Sequence, residues 1–202
     1  KLFDWLTSLY SVWARLTPEM ICSSSQVALV ELLQSGCTTT ADHHYIFSNQ
    51  LENAIDIQVE AAKAIGCRVV LARGSMSLGR EHGGLPPSQT VQCAKTIMED
   101  SERVIKKFHD RGSGALVQIA LAPCSPFSVS QELMKSTAEL AKELDVRLHT
   151  HLAETEDEET FCLQRFGLRP VEYLEQAGWL NSGTWVAHGI HSVSYTHLRA
   201  HE

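Results

Sequence analysis

Helix-like and strand-like segments alternate along the whole chain, and this alternation constrains the fold more than any other feature. Thr17-Pro18 reads as an N-cap followed by proline at the first helical position. Met20, Val27, Val30 and Leu33 then recur at helical spacing until Gly36 stops the run. Cys37–Ala41 is short and β-branched, which predicts a strand. Residues 50–65 place Leu51, Ile55, Val59 and Ala62 on one helical face ended by Gly66, and Arg68–Ala72 reads as a buried strand. Residues 74–87 hold four glycines and two prolines, which predicts a long loop. Ser88 is placed to cap a helix reaching residue 110. A strand follows over Ala115–Leu121, then a helix from the capping-box pair Ser128 and Gln131 to Leu144. Val146–Leu152 reads as a strand, two short helices are closed by Gly167 and Gly178, and Thr184–His188 is the last strand.

Five helix–strand repeats imply an α/β fold with a parallel sheet. A doubly wound sheet and a TIM barrel both fit. The G-x-G-x-x-G turn of a dinucleotide site is absent, which weakens the first. The unusual polar residues follow the predicted strands, at the end where barrels keep their chemistry. These are Asp42-His43-His44, Arg73-Gly-Ser-Met-Ser77, Pro123-Cys-Ser-Pro126, His151 to Glu154, and His188. A barrel needs eight strands, so the five read here predict an incomplete one, covering about strands 2 to 6. Lys1-Leu-Phe-Asp-Trp5 shows neither a signal-peptide pattern nor an initiator Met, so the start is expected to lie inside a longer chain. A net charge of -7 argues against nucleic-acid binding. No apolar run approaches the length needed to span a bilayer. Six cysteines at 22, 37, 67, 93, 124 and 162 form no C-x-x-C pair, and their dispersal suits reduced thiols in a cytoplasmic protein.

His149-Thr-His-Leu-Ala-Glu154 is the strongest chemical constellation. On a strand His149 and His151 point to the same side, because side chains alternate. Glu154 lies three residues on, where the strand becomes a loop. His151 then suits a metal ion, and Glu154 suits the protons of a water attacking beside it. Spacing alone equally allows two structural core histidines. His188, at the end of a strand, gains weight only if it lies beside His151. His43 and Tyr45 read as substrate contacts or as a strand-end turn. Arg73 reads as a fork for a substrate carbonyl or carboxylate, or as one half of a salt bridge to a neighbouring loop. Cys124 reads as a small buried hydrophobe. The acidic run Glu156 to Glu159 reads as a solvated helix start that complements the helix dipole.

His149-Thr-His-Leu-Ala-Glu154, followed one strand later by Ala187-His188-Gly189, resembles the amidohydrolase superfamily in its cytosine/guanine deaminase and chlorohydrolase branch. Three further segments resemble the subgroup of bacterial 8-oxoguanine deaminases and hydroxydechloroatrazine ethylaminohydrolases. They are Thr40-Ala-Asp-His43, Ala72-Arg-Gly-Ser-Met-Ser77 with Gly84-Leu-Pro-Pro87, and Ala122-Pro-Cys-Ser-Pro-Phe-Ser-Val-Ser130. The likeness covers nearly all of residues 1–190. It implies a distorted TIM (β/α)8 barrel with one divalent metal, usually zinc. It also implies hydrolytic deamination of an aminated purine-like heterocycle, with 8-oxoguanine giving urate and ammonia, and pterins or hydroxylated s-triazines as alternative substrates. By the same resemblance His151 is the metal ligand of the fifth barrel strand, Glu154 the acid/base, and His188 the residue that steers the water. Arg73, His43 and Tyr45 are then substrate contacts. Cys124 stands, as in the subgroup, where other branches carry His, and His44 occupies a position expected to be apolar.

The family's H-x-H pair is expected upstream of this chain, and its metal-binding Asp after a strand beyond it. Residues 1–191 are therefore expected to form a partial barrel with one of four metal ligands, inactive alone. Ser192–Glu202 departs from the family and resembles translated adapter sequence; it is set aside together with His197 and His201. The expected partner is a small heterocycle, without nucleic acid or membrane; a homo-oligomer stays open.

Overall fold

The computed structural model describes residues 1–48 and 50–192. Its elements run α1 (Leu2–Trp13), α2 (Pro18–Gln34), β1 (Thr39–His44), α3 (Ala54–Ile65), β2 (Arg68–Ser75), α4 (Ala94–Phe108), β3 (Val117–Pro123), α5 (Gln131–Glu143), β4 (Arg147–Leu152), α6 (Glu156–Phe166), α7 (Pro170–Gln176) and β5 (Thr184–His188). All strand pairs are parallel, and the sheet order is β1-β2-β3-β4-β5. A doubly wound sheet reverses its order at a switch point. Strictly sequential order with helical crossovers is instead the progression of a barrel wall. No described helix is long and apolar enough to cross a membrane.

Period-two alternation gives the sheet two different faces. Leu71, Ile119, Leu121, Leu148 and Leu152 join the large core beneath the helices. The opposite face carries a small cluster of Ala72, Ala120 and Ala122, flanked by Val70 and Trp185. Three alanines leave room on that side for larger neighbours, and His43 of β1 and His149 and His151 of β4 occupy it.

Local chemistry moves several predicted boundaries. Thr17 caps α2 as expected, accepting from the Met20 N–H at 3.3 Å. β1 begins later than predicted and runs on to His44, so Asp42, His43 and His44 belong to the strand. Ser88 opens a short 3-10 turn, and α4 begins at Ala94. The Gln92 N–H donates to the Met76 carbonyl at 2.9 Å, which ties that stretch to the preceding loop. Ser130, two residues beyond the predicted cap, accepts from the Leu133 N–H at 3.2 Å. Ser128 is buried against the Ser125 hydroxyl instead, at 2.7 Å.

Helix α1 carries no sequence stop or start signal and was not foreseen. It packs across the loops that follow the strands: Phe3 meets Phe127 at 4.9 Å and Trp13 meets Tyr45 at 6.3 Å between ring centroids. Residues 193–202, and with them the reading of the tail with His197 and His201, lie outside the described residues.

Candidate active site

Four imidazoles meet at the C-terminal ends of β1, β4 and β5. His149 and His151 share the inner face. The His151 Nδ1–H donates to the Cys124 carbonyl at 2.8 Å, and the His149 Nδ1–H to the Trp185 carbonyl at 3.0 Å. Each bond fixes the tautomer and leaves Nε2 with the lone pair. His149 also stacks on Trp185 at 4.6 Å. His43 stacks on His151 at 4.8 Å and meets His149 edge-on at 4.9 Å. Its Nε2–H donates to the Ala122 carbonyl at 2.9 Å, while its Nδ1 is buried without a hydrogen-bond partner. Tyr45 closes the group, 5.2 Å from the His43 ring and 5.9 Å from His151. Burial holds His43, His149 and His151 below the usual histidine range, and mutual repulsion adds to it. Neutral imidazoles are what a ligand or a hydrogen-bond acceptor requires.

Glu154 and His188 reach this group from two strand ends. By alternation His188 should face the helices, since its neighbours Trp185 and Ala187 pair with the inward His149 and His151. Its φ of +74° reverses that. The left-handed backbone aims the imidazole inward, where it stacks on His151 at 5.5 Å. Left-handed conformations in bulky residues are strained and concentrate at functional sites. Glu154 follows Ala153, itself at φ +50°, and its Oε1 lies 3.5 Å from His188 Nε2.

Arg73 does not join them. It faces the helix layer, fully buried, and donates to Asp100 at 2.9 Å, to Gln92 at 3.0 Å and to the Gly74 carbonyl at 2.6 Å. Its guanidinium lies 4.0 Å above the Phe47 ring. The expected substrate contact is therefore corrected: alternation along β2 turns this side chain away from His43, His149 and His151, and it forms a salt bridge, though to Asp100 on α4 and not to a neighbouring loop. His44 is on the same side, in register with Arg73, and packs edge-on to Phe47 at 5.2 Å. That accounts for an imidazole in an apolar position. Cys124 is buried as expected, and burial pushes its thiol up to about 12.

The solvated reading of the acidic run fails at Glu158, which is 0% exposed. Its two oxygens accept from the Ala153 N–H at 3.0 Å and the Glu154 N–H at 2.9 Å. Burial pushes its carboxyl up to about 7. The signal was present in Thr155-x-x-Glu158, a capping-box spacing. Here the carboxylate reaches past the cap to the two residues before it.

The donor chemistry fits one metal ligand. His151 presents Nε2 with its second nitrogen held by a carbonyl, the outer-shell arrangement typical of metal-binding histidines. Among the described residues no group of three or more His, Cys, Asp or Glu forms a complete cage. Catalytic zinc sites use about three protein ligands.

The chain is similar to known proteins over nearly its whole length. The chain is 65% identical to the 8-oxoguanine deaminase of Pseudomonas aeruginosa over 94% of its own length and 42% of that protein's. It is 34% identical to the hydroxydechloroatrazine ethylaminohydrolase of Pseudomonas sp. (strain ADP), over 92% of this chain and 38% of that one. Its structure superposes with a TM-score of 0.85 on the atrazine chlorohydrolase TrzN from Arthrobacter aurescens TC1 complexed with zinc, at 32% identity, covering 94% of this chain and 42% of that one. The chain thus spans about two fifths of the length of these relatives. The sequence model of the Amidohydrolase family matches residues 1–201, and the chain belongs to that family.

Proposed function

We propose that this chain carries the reaction half of a metal-dependent hydrolytic deaminase whose substrate is 8-oxoguanine, converted with water to urate and ammonia. The observation that carries the reading is the convergence of Glu154 and His188 on His151: an acid/base, a polar imidazole and a ligand nitrogen at one strand end. The identity of 65% to an 8-oxoguanine deaminase supports the choice of substrate over a pterin or a hydroxylated s-triazine. His151 would hold a zinc ion through Nε2, together with ligands from the rest of the protein. When bound, the ion makes water more acidic and offsets negative charge that develops on the substrate.

Within this chain Glu154 takes a proton from the attacking water and delivers it to the ring nitrogen beside C2. His188 orients the water through its ring nitrogen as the tetrahedral carbon forms. Glu154 then takes the proton of the hydroxyl newly formed on C2 and passes it to the exocyclic amine, whose bond to C2 breaks so that ammonia leaves and a carbonyl remains on C2. His43 and Tyr45 border the space that the heterocycle fills. The buried Nδ1 of His43 is an acceptor suited to a ring N–H.

The complete gene product, loaded with zinc, tests this by ammonia release from 8-oxoguanine, with isoxanthopterin and a hydroxylated aminotriazine alongside. Glu154→Gln should lose about 10²- to 10⁴-fold in rate, the usual share of a positioned acid/base. Inertness toward every aminated heterocycle, or normal turnover by Glu154→Gln, overturns the proposal.

A further inference from the structure

We infer that Glu158 is a positioning residue that sets the Glu154 carboxylate for catalysis; this rests on the acid/base role proposed for Glu154. The residue that follows Leu152 at the end of β4, Ala153, adopts φ +50°, a conformation that non-glycine residues seldom take without support. Support comes from one side chain. Glu158, on the first turn of α6, accepts from two consecutive amides, Ala153 at 3.0 Å and Glu154 at 2.9 Å. The carboxylate is fully buried, so water does not compete for either bond. The clamp therefore fixes the peptide on both sides of the turn and, through it, the Cα–Cβ direction of Glu154. Downstream, the Ala153 carbonyl accepts from the His191 N–H at 2.8 Å, and the Leu152 carbonyl accepts from the Gly189 N–H at 2.8 Å. The same short turn thus also holds the segment that carries His188. Loss of the clamp loosens both ends of the Glu154–His188 contact without touching the pocket that binds the ring.

Glu158→Gln is the sharp variant, because it keeps the shape but replaces one acceptor by a donor that faces an N–H. In the zinc-loaded complete protein kcat should fall by about 10- to 100-fold, the scale of a roughly 1 Å misplacement. KM should stay within a factor of about three, and amide exchange at Ala153 and Glu154 should speed up. Wild-type kcat in a folded Glu158→Gln protein overturns the inference, and so does a loss confined to KM. If Glu158→Gln folds poorly, Glu158→Asp keeps the carboxylate but shortens its reach to the two amides; wild-type kcat in that variant overturns the inference equally. Glu154→Gln is measured alongside. Its normal turnover would refute the acid/base reading itself, whereas an inactive Glu154→Gln beside a fully active Glu158→Gln would refute only the clamp.

Discussion

His188 Nε2 lies 3.5 Å from Glu154 Oε1, a contact between residues from two strand ends that depends on a left-handed backbone at His188. Asparagine tolerates that backbone better than most residues, while its amide cannot reproduce the imidazole. His188→Asn should therefore keep the thermal stability of the protein and lower kcat/KM on 8-oxoguanine by about 10²-fold or more. Melting curves and initial rates of the zinc-loaded complete protein check both. Unchanged turnover would show that the contact has no part in the reaction.

Gly74 matters through space rather than through its own dihedral angles. A Cβ there would stand 2.3 Å from the His44 carbonyl oxygen and 2.6 Å from Tyr45 Cβ. The His44 backbone cannot give way cheaply, and Tyr45, met at its Cβ, would be driven off the His43 ring. Gly74→Ala should destabilise the chain by about 1–3 kcal/mol, the usual penalty of overpacking. Urea unfolding of the two proteins measures it, and coincident midpoints would contradict the argument.

The alternation of elements, the barrel and the inward pair His149 and His151 were legible because periodicity is a local property that survives folding. Thr184–His188 matches its strand without adjustment for the same reason. His188 facing inward was not legible, since simple alternation assigns it to the helix side and only the φ of +74° reverses that. Arg73 was misread because its partners, Asp100 and Gln92, lie 27 and 19 positions away and carry no local signature. Glu158 was misread for the opposite reason. Its neighbours Glu156, Asp157 and Glu159 make a solvated face the natural reading, and its one local signal, the capping-box spacing from Thr155, does not say that the side chain is buried.

Arg73 tests the corrected assignment directly. Its side chain is 0% exposed and that of Asp100 is 15% exposed. Asp100 also accepts from Arg103 at 2.9 Å, so removal of Arg73 does not strand a lone carboxylate. Arg73→Met should thus lose the donor fork and the Phe47 contact at about 3 kcal/mol, the low end for a broken buried pair. Denaturant unfolding checks the figure. In the complete protein KM for 8-oxoguanine should stay within about threefold. A variant of unchanged stability but much weaker substrate binding would restore Arg73 to the substrate site.

The buried Glu158 carboxyl gives the stability of this chain a recognisable pH dependence. Its ordinary value of 4.5 is raised to about 7, chiefly by burial. A carboxyl raised in the folded state binds its proton more tightly there than in the unfolded chain. The resulting stabilisation is complete below 4.5 and lost as pH climbs through about 7. The size of the shift corresponds to about 3 kcal/mol. The depressed histidines act in the other direction, since burial disfavours their charge and stability falls as pH drops below their ordinary value of 6.5. They are common to wild type and Glu158→Gln and cancel in the difference. The unfolding free energy of wild type minus that of Glu158→Gln should therefore decline by about 3 kcal/mol between pH 4.5 and 8, most steeply across the middle of that range. Parallel stability curves for the two proteins would mean that the Glu158 carboxyl titrates as if it were in water.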